Sequence, residues 1–383
     1  MHLFINLFVA LMCCISGIKT TLSAPAAFDA FSNNYYEART KFYQASLASG
    51  GRIESIHYPV DGPDNKPLYT DITLIGPDDA ETVLVISSGT HGVEGFAGSG
   101  IQIGLLRDGI ASRLPANTSV LMIHAINPYG FAHIRRYDEK NVDLNRNFVD
   151  HSMPYPGNKG YDELAKALSP DSLSIWETVK AYWSIASYWL RHGRDQLSVV
   201  ISGGQYSHPE GLFFGGNTES WSNTMLRRVV RQYLSNSRRV VFVDVHTGLG
   251  PYAEAEVILN EDEKSPSYLR AVNWWGERVK TTVSNASVSV HIAGSLKLAL
   301  PKMLPHVEVT AVSLEFGTYS QKEVLIALRN ENWLFHYDDV NHPDTEAIKK
   351  KLLDVFYPNT AQWKARVWAQ GKEVIDQAIE QIQ

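Results

Sequence analysis

The stretch ETVLVISSGTHGVEGFAGSG, residues 81–100, runs from an apolar segment into a loop rich in glycine and on into a helix-like pattern. Its first part is Val-, Leu- and Ile-rich and reads as a buried strand. The loop then presents His91 and Glu94, three positions apart among five glycines. In open α/β sheets, sites form outside the carboxyl ends of strands, and His91 stands at such an end. Glycine there lets the backbone turn tightly and approach a ligand closely. An imidazole and a carboxylate so spaced can converge on one ion. Zinc accepts both, and a catalytic zinc takes three protein ligands. Alone, H-x-x-E is a weak signal, and a hydrogen-bonded loop histidine is the plainer reading.

Outward from this loop, strand-like runs recur: RIESIHYPV, LYTDITLIG, SVLMIHAINP, RVVFVDVHTG, AEVILN and VEVTAVSLEFG. Helix-like stretches lie between them. Near-continuous apolar strands alternating with helices predict an α/β fold with a mixed, largely parallel central sheet flanked by helices. Residues 150–237 carry helical patterns and no strong strand, and are expected to form a helical insertion in one domain. Within it, Trp176, Tyr182, Trp183, Tyr188 and Trp189 recur at nearly helical spacing, which predicts core packing; the other reading is a platform for aromatic or carbohydrate groups. The closing pattern, with Trp363, Val367, Val374, Ile375 and Ile379, is expected to pack on the sheet.

The composition bounds the function. The chain has 383 residues, 44% hydrophobic and 20% charged, which supports a sizeable core. Its net charge of −6 disfavours nucleic acid as a partner. Residues 1–24 read as a signal peptide, so the expected location is secreted or periplasmic, with a single domain over 25–383. The only two cysteines, Cys13 and Cys14, fall in that leader, which leaves the domain without disulfides or thiolate ligands; lipid anchoring there is the other use for them. Beyond residue 30, no apolar run approaches the roughly 20 residues of a membrane span.

A third metal ligand should stand at another strand end. VDVHTG supplies His246 after a long apolar run; His124 and His291 also lie near strand ends. Asp143 and Asp244 are the carboxylates expected to orient the histidines. Glu315 ends the strand VEVTAVSLEFG, where an unpaired carboxylate is costly. Beside a zinc ion and its water it would serve as general base and then general acid; pairing with an arginine is the alternative. In HIRRYDEKNVDLNRNF, Arg135, Arg136, Asn145 and Arg146 cluster, and a guanidinium fork grips a carboxylate in bidentate fashion.

Together, GTHGVEG, VDLNRNF, DVHTG and LEFGT resemble the motifs of the zinc carboxypeptidase superfamily, which also holds the aspartoacylase and succinylglutamate desuccinylase branch. GTHGVEGFAGS, INPYGFAHIRR and HPEGLFFGG are most similar to a domain-of-unknown-function branch. The resemblance implies a carboxypeptidase-like fold and a Zn2+ cofactor held by His91, Glu94 and His246. It assigns Glu315 as general base, Arg136 to the scissile carbonyl with Arg135 as the alternative, and Asn145 and Arg146 to the substrate carboxylate. Asp143 and Asp244 would support the ligands. It departs from digestive members in lacking an evident tyrosine before Glu315, with His291 in that neighbourhood, and in its insertion, where His208 and Glu210 would form a lid or pocket wall.

The implied function is a zinc-dependent metallopeptidase of carboxypeptidase type, hydrolysing an amide next to a substrate carboxylate. The alternatives are an N-acyl amino acid amidohydrolase and a secreted binding protein without catalysis. The expected partner is a peptide or N-acyl amino acid with a free carboxylate. A serine hydrolase would need a G-x-S-x-G elbow, which Ser99 does not complete.

Overall fold

A computed structural model describes residues 29–284, 287–337 and 342–382. The expected leader, 1–24, with Cys13 and Cys14, lies outside the described residues. In chain order the main elements are α1 (Tyr35–Ala48), β1 (Arg52–His57), β2 (Tyr69–Ile75), β3 (Thr82–Ser87), α2 (Gly95–Arg107), β4 (Thr118–His124) and α3 (Pro128–Ala132). Then follow α4 (Lys159–Leu168), α5 (Ile175–Ser202), α6 (Trp221–Tyr233), β5 (Arg239–Tyr252), β6 (Ala255–Leu259), α7 (Pro266–Trp275), β7 (Val279–Thr281) and α8 (Leu296–Met303). The chain closes with β8 (Glu308–Gly317), α9 (Gln321–Tyr337), α10 (Thr345–Phe356) and α11 (Ala361–Gln381).

The strands form one eight-stranded sheet in the order β1-β2-β4-β3-β5-β8-β6-β7. Its centre, β4-β3-β5-β8, is parallel throughout, and the antiparallel pairings lie toward the two edges. The mixed α/β fold expected from the sequence is therefore what forms. Strand residues alternate between two cores. Leu84, Ile86, Val241 and Val243 face the layer of α1, α2, α7 and α11, while Val83, Val85, Val240 and Phe242 face α6 and α8. This period of two explains the unbroken apolar runs: both faces of the central strands are covered by helices. As expected, α11 buries Trp363, Val367, Val374, Ile375 and Ile379.

Register places the chemistry. Ser87 of β3 stands opposite Asp244 of β5, and His246 of β5 stands opposite Glu315 of β8. The loop after β3 therefore opens beside the carboxyl ends of β5 and β8. A third apolar core joins α4 and α5 to α9 and α10 through Tyr161, Leu164, Tyr188, Val324 and Leu328.

The insertion differs from expectation in its aromatic helix. Of the five aromatic residues in α5, only Tyr188 is buried, at 4% exposure. Trp176 and Trp183 are 76% and 72% exposed, and Trp189 and Tyr182 are about half exposed. Helical spacing shows that a helix is two-sided; it does not say which side meets the core. Here Ala181 and Tyr188 turn inward and most of the large aromatics turn out. A break at Gly193, φ +82°, divides α5 before its last turns.

Candidate active site

The His91–Glu94 loop is held by backbone contacts from the segment after α3. The Gly92 N–H donates to the Arg136 carbonyl at 3.1 Å, and the Val93 N–H to the Arg135 carbonyl at 2.7 Å. Gly92 lies so close to Gly130 that a Cβ would stand 2.1 Å from its carbonyl carbon. Close approach of two backbones explains the glycine between His91 and Glu94.

His91, Glu94 and His246 are buried and offer ligand atoms that all lie within 4.8 Å of one another. The two Nδ1 atoms face each other at 3.3 Å. Glu94 reaches both: Oε1 is 2.8 Å from His91 Nδ1 and Oε2 is 2.9 Å from His246 Nδ1. Carboxylates stand behind both outward ring nitrogens, and Arg136 Nη2 also lies 2.8 Å from His91 Nε2. His246 Nε2 lies 2.7 Å from Asp244 Oδ2, and His91 Nε2 lies 3.2 Å from Asp143 Oδ1. Asp244 in turn accepts from Ser87 Oγ at 2.6 Å and from Thr90 Oγ1. Two imidazoles oriented from behind, with one carboxylate, make the nitrogen–oxygen donor set of a three-ligand zinc site. The residues fit the ion that the motifs imply.

Electrostatics follow from this packing. Burial pushes Glu94 up, but the charge and hydrogen bonds of the two histidines outweigh it and hold the carboxyl well below the usual range. His246 is pushed down by burial yet raised to about 10 by Asp244 and Glu94. Glu315 goes the other way: burial and the charge of Glu94 push it up to about 8. Its Oε1 accepts the Leu249 N–H at 3.1 Å, and among the described residues no arginine forms an ion pair with it.

Arg136 and Arg135 diverge. Arg136 faces the site, with Nη1 2.9 Å from Glu94 Oε1 and Nε 3.0 Å from Asp143 Oδ2. Arg135 turns away, its Nε 2.8 Å from Glu331 and its guanidinium 3.2 Å above the Phe335 ring. It does not line the cavity, so the structure gives it a role in tying the segment to α9 rather than in holding substrate. Arg146 Nη1 donates to both oxygens of Asp143 at 3.1 Å, and Asn145 Oδ1 accepts from the Leu296 N–H at 3.1 Å.

His91, Glu94, Arg136, Arg146, His246 and Glu315 all line one cavity of about 1440 Å³. His124 is elsewhere, enclosed with Nε2 2.8 Å from Ser99 Oγ and stacked on Phe42. That Ser–His pair is buried and does not line the cavity, which removes the geometric basis for a serine hydrolase. His291 is exposed and outside the ligand group. His208 binds Asp162 and, like Glu210, lies outside the cavity wall.

Sequence reasoning missed Lys297. It is buried in α8, lines the same cavity, and donates from Nζ to the Ile258 carbonyl at 3.1 Å. Burial lowers it to about 8. The signal was present: a lone lysine in the apolar run SLKLAL.

The family model described as "Protein of unknown function (DUF2817)" matches residues 31–370. No curated protein matches the chain. Among solved structures, it is similar to carboxypeptidase A of Helicoverpa armigera at 12% identity and a TM-score of 0.45, over 90% of this chain and 74% of that one. Bovine thrombin-activatable fibrinolysis inhibitor matches at 10% identity and a TM-score of 0.43, over 90% of this chain and 99% of that one. Succinylglutamate desuccinylase of Chromobacterium violaceum matches at 16% identity and a TM-score of 0.36, over 84% and 74%. Among the described residues, no helix is long and apolar enough to cross a membrane.

Proposed function

This chain belongs to the family described as "Protein of unknown function (DUF2817)", and we propose that it is a zinc-dependent hydrolase that cleaves an amide bond next to a substrate carboxylate. The observation that carries the reading is convergence. A nitrogen–oxygen metal triad, an unpaired buried carboxylate and two arginines share one cavity.

His91, Glu94 and His246 would hold the ion, which when bound supplies Lewis acidity toward a carbonyl and acidifies a water. Asp244 fixes the His246 tautomer so that its Nδ1 stays free to ligate, and Asp143 supports His91 from behind. Glu315 takes the proton of the attacking water and returns it to the leaving amine; its raised affinity for a proton suits both halves of that cycle. Arg136 places positive charge where the oxyanion develops. Arg146 and Asn145 hold the substrate carboxylate, with Lys297 adding positive charge nearby.

A carboxypeptidase and an N-acyl amino acid amidohydrolase share this reaction and differ in what lies on the acyl side. The test is to strip divalent ions from the full chain, restore zinc, and follow a mixed pool of peptides and N-acyl amino acids by mass spectrometry. Zinc-dependent release of a free amino acid is expected. Equal product with and without the ion would overturn the reading.

A further inference from the structure

The cavity is larger than the reaction needs. Ligand sites typically enclose roughly 300–1,000 Å³, whereas this one encloses about 1440 Å³. Its polar end holds the metal triad, Arg136, Arg146 and Lys297. The remainder is a chamber between α5 and α9, where the partly buried Ile185, Leu197 and Leu325 line it, with Gln196, Gln321 and Asn330 also on its lining. The three aliphatic groups pack against the third apolar core. A short acyl group or a polar peptide would leave this wall facing water. Burying each methylene against it is favourable by about 0.8 kcal/mol, or about fourfold in affinity.

We infer that the chamber receives a long apolar chain, so that the substrate is an amphiphile: an N-acyl amino acid with a hydrocarbon acyl chain in the chamber and its free carboxylate at the polar end. This rests on the proposed amide hydrolysis and names its substrate class. The insertion then acts as the wall of an acyl site, the opposite of a filter for small substrates. Water adds across the amide, giving a fatty acid and a free amino acid; no oxidant or further reactant is needed.

The test uses the zinc-loaded full chain and acetyl, octanoyl and dodecanoyl derivatives of glycine, glutamate and phenylalanine, below their micellar concentrations. kcat/KM is expected to rise at least a hundredfold from acetyl to octanoyl. Ile185→Gln, a half-buried wall position, should lower the dodecanoyl rate at least tenfold and leave the acetyl rate unchanged. Hydrolysis of acetyl derivatives or peptides without a rise along the series would overturn the acyl chamber and leave amide hydrolysis standing. If nothing is hydrolysed, the amide reading fails, and calorimetric binding to the Glu315→Gln chain still decides the chamber. Dodecanoyl binding at least a hundredfold tighter than acetyl supports it; equal binding overturns it.

Discussion

Glu315→Gln separates chemistry from architecture in this site. Glutamine has nearly the same shape, and its Oε1 can keep the 3.1 Å bond from the Leu249 N–H. It is not one of the three residues that converge on the ion. What it removes is the ability to take a proton from water. General base catalysis contributes roughly 10²–10⁴ in rate, which is about 3–5 kcal/mol of barrier. The same exchange removes a charge from a place that resists it, because burial and Glu94 push the carboxyl up to about 8. Stability should therefore hold or rise slightly, most visibly above pH 8. The assay pairs three readouts on one preparation: zinc per chain by elemental analysis, denaturant midpoint, and initial rate on the best substrate. The expected result is one zinc per chain, an unchanged midpoint, and a rate down at least a hundredfold. A variant with a tenth or more of the parent rate would refute the assignment. A variant that loses zinc would show that Glu315 belongs to the ion and that the donor set is wrongly drawn.

Other perturbations follow from the packing. Gly92→Ala forces a methyl into the Gly130 backbone, so His91 and Glu94 should separate and zinc stoichiometry should fall well below one while secondary structure by circular dichroism persists. Glu331 is fully buried between Arg135 and Lys349; Glu331→Gln leaves the buried Arg135 and the partly exposed Lys349 uncompensated and should destabilise the chain by about 3 kcal/mol in denaturant titrations. Asp138 is raised to about 7 by burial and by Glu139. Its folded pKa lies above the unfolded one, so its contribution is intact at low pH and is lost as pH rises through about 7. Asp138→Asn should thus stabilise the chain more at pH 8 than at pH 4.5, and an equal effect at both would contradict this.

The central strands were legible because they are buried on both faces and carry long aliphatic runs with no competing pattern. β7, three residues at the sheet edge, left no such signal, and neither did α4, whose short pattern in GYDELAKAL lies outside the strongest helical runs. The clustering of His91, Glu94 and His246 could be read because strand ends and glycine turns fix where they stand. Arg135 and Arg136 could not be told apart, since only the packing of α9, which takes Arg135 through Glu331 and Phe335, decides which of the two lines the cavity. The outward tryptophans of α5 misled for a related reason: periodicity reports two faces, and the identity of the buried one depends on residues far along the chain. Lys297 shows that a charge isolated in an apolar run deserves the weight given to motif residues.

The site is scattered along the chain. Glu94 and His246 meet across 152 positions, and Glu315 arrives later still. Before the ribosome has released β5, the ligand loop can lie beside β4 yet lacks both His246 and Glu315. A nascent chain with only residues up to about β4 has at most two of the three ligands and no acid–base partner. The proposed hydrolysis therefore requires synthesis through β8, and a truncated translation product that keeps the His91–Glu94 loop but ends before β5 would be chemically silent. Long-range pairing of this kind also slows folding, so capture of the ion is expected as a late event in the protein's maturation.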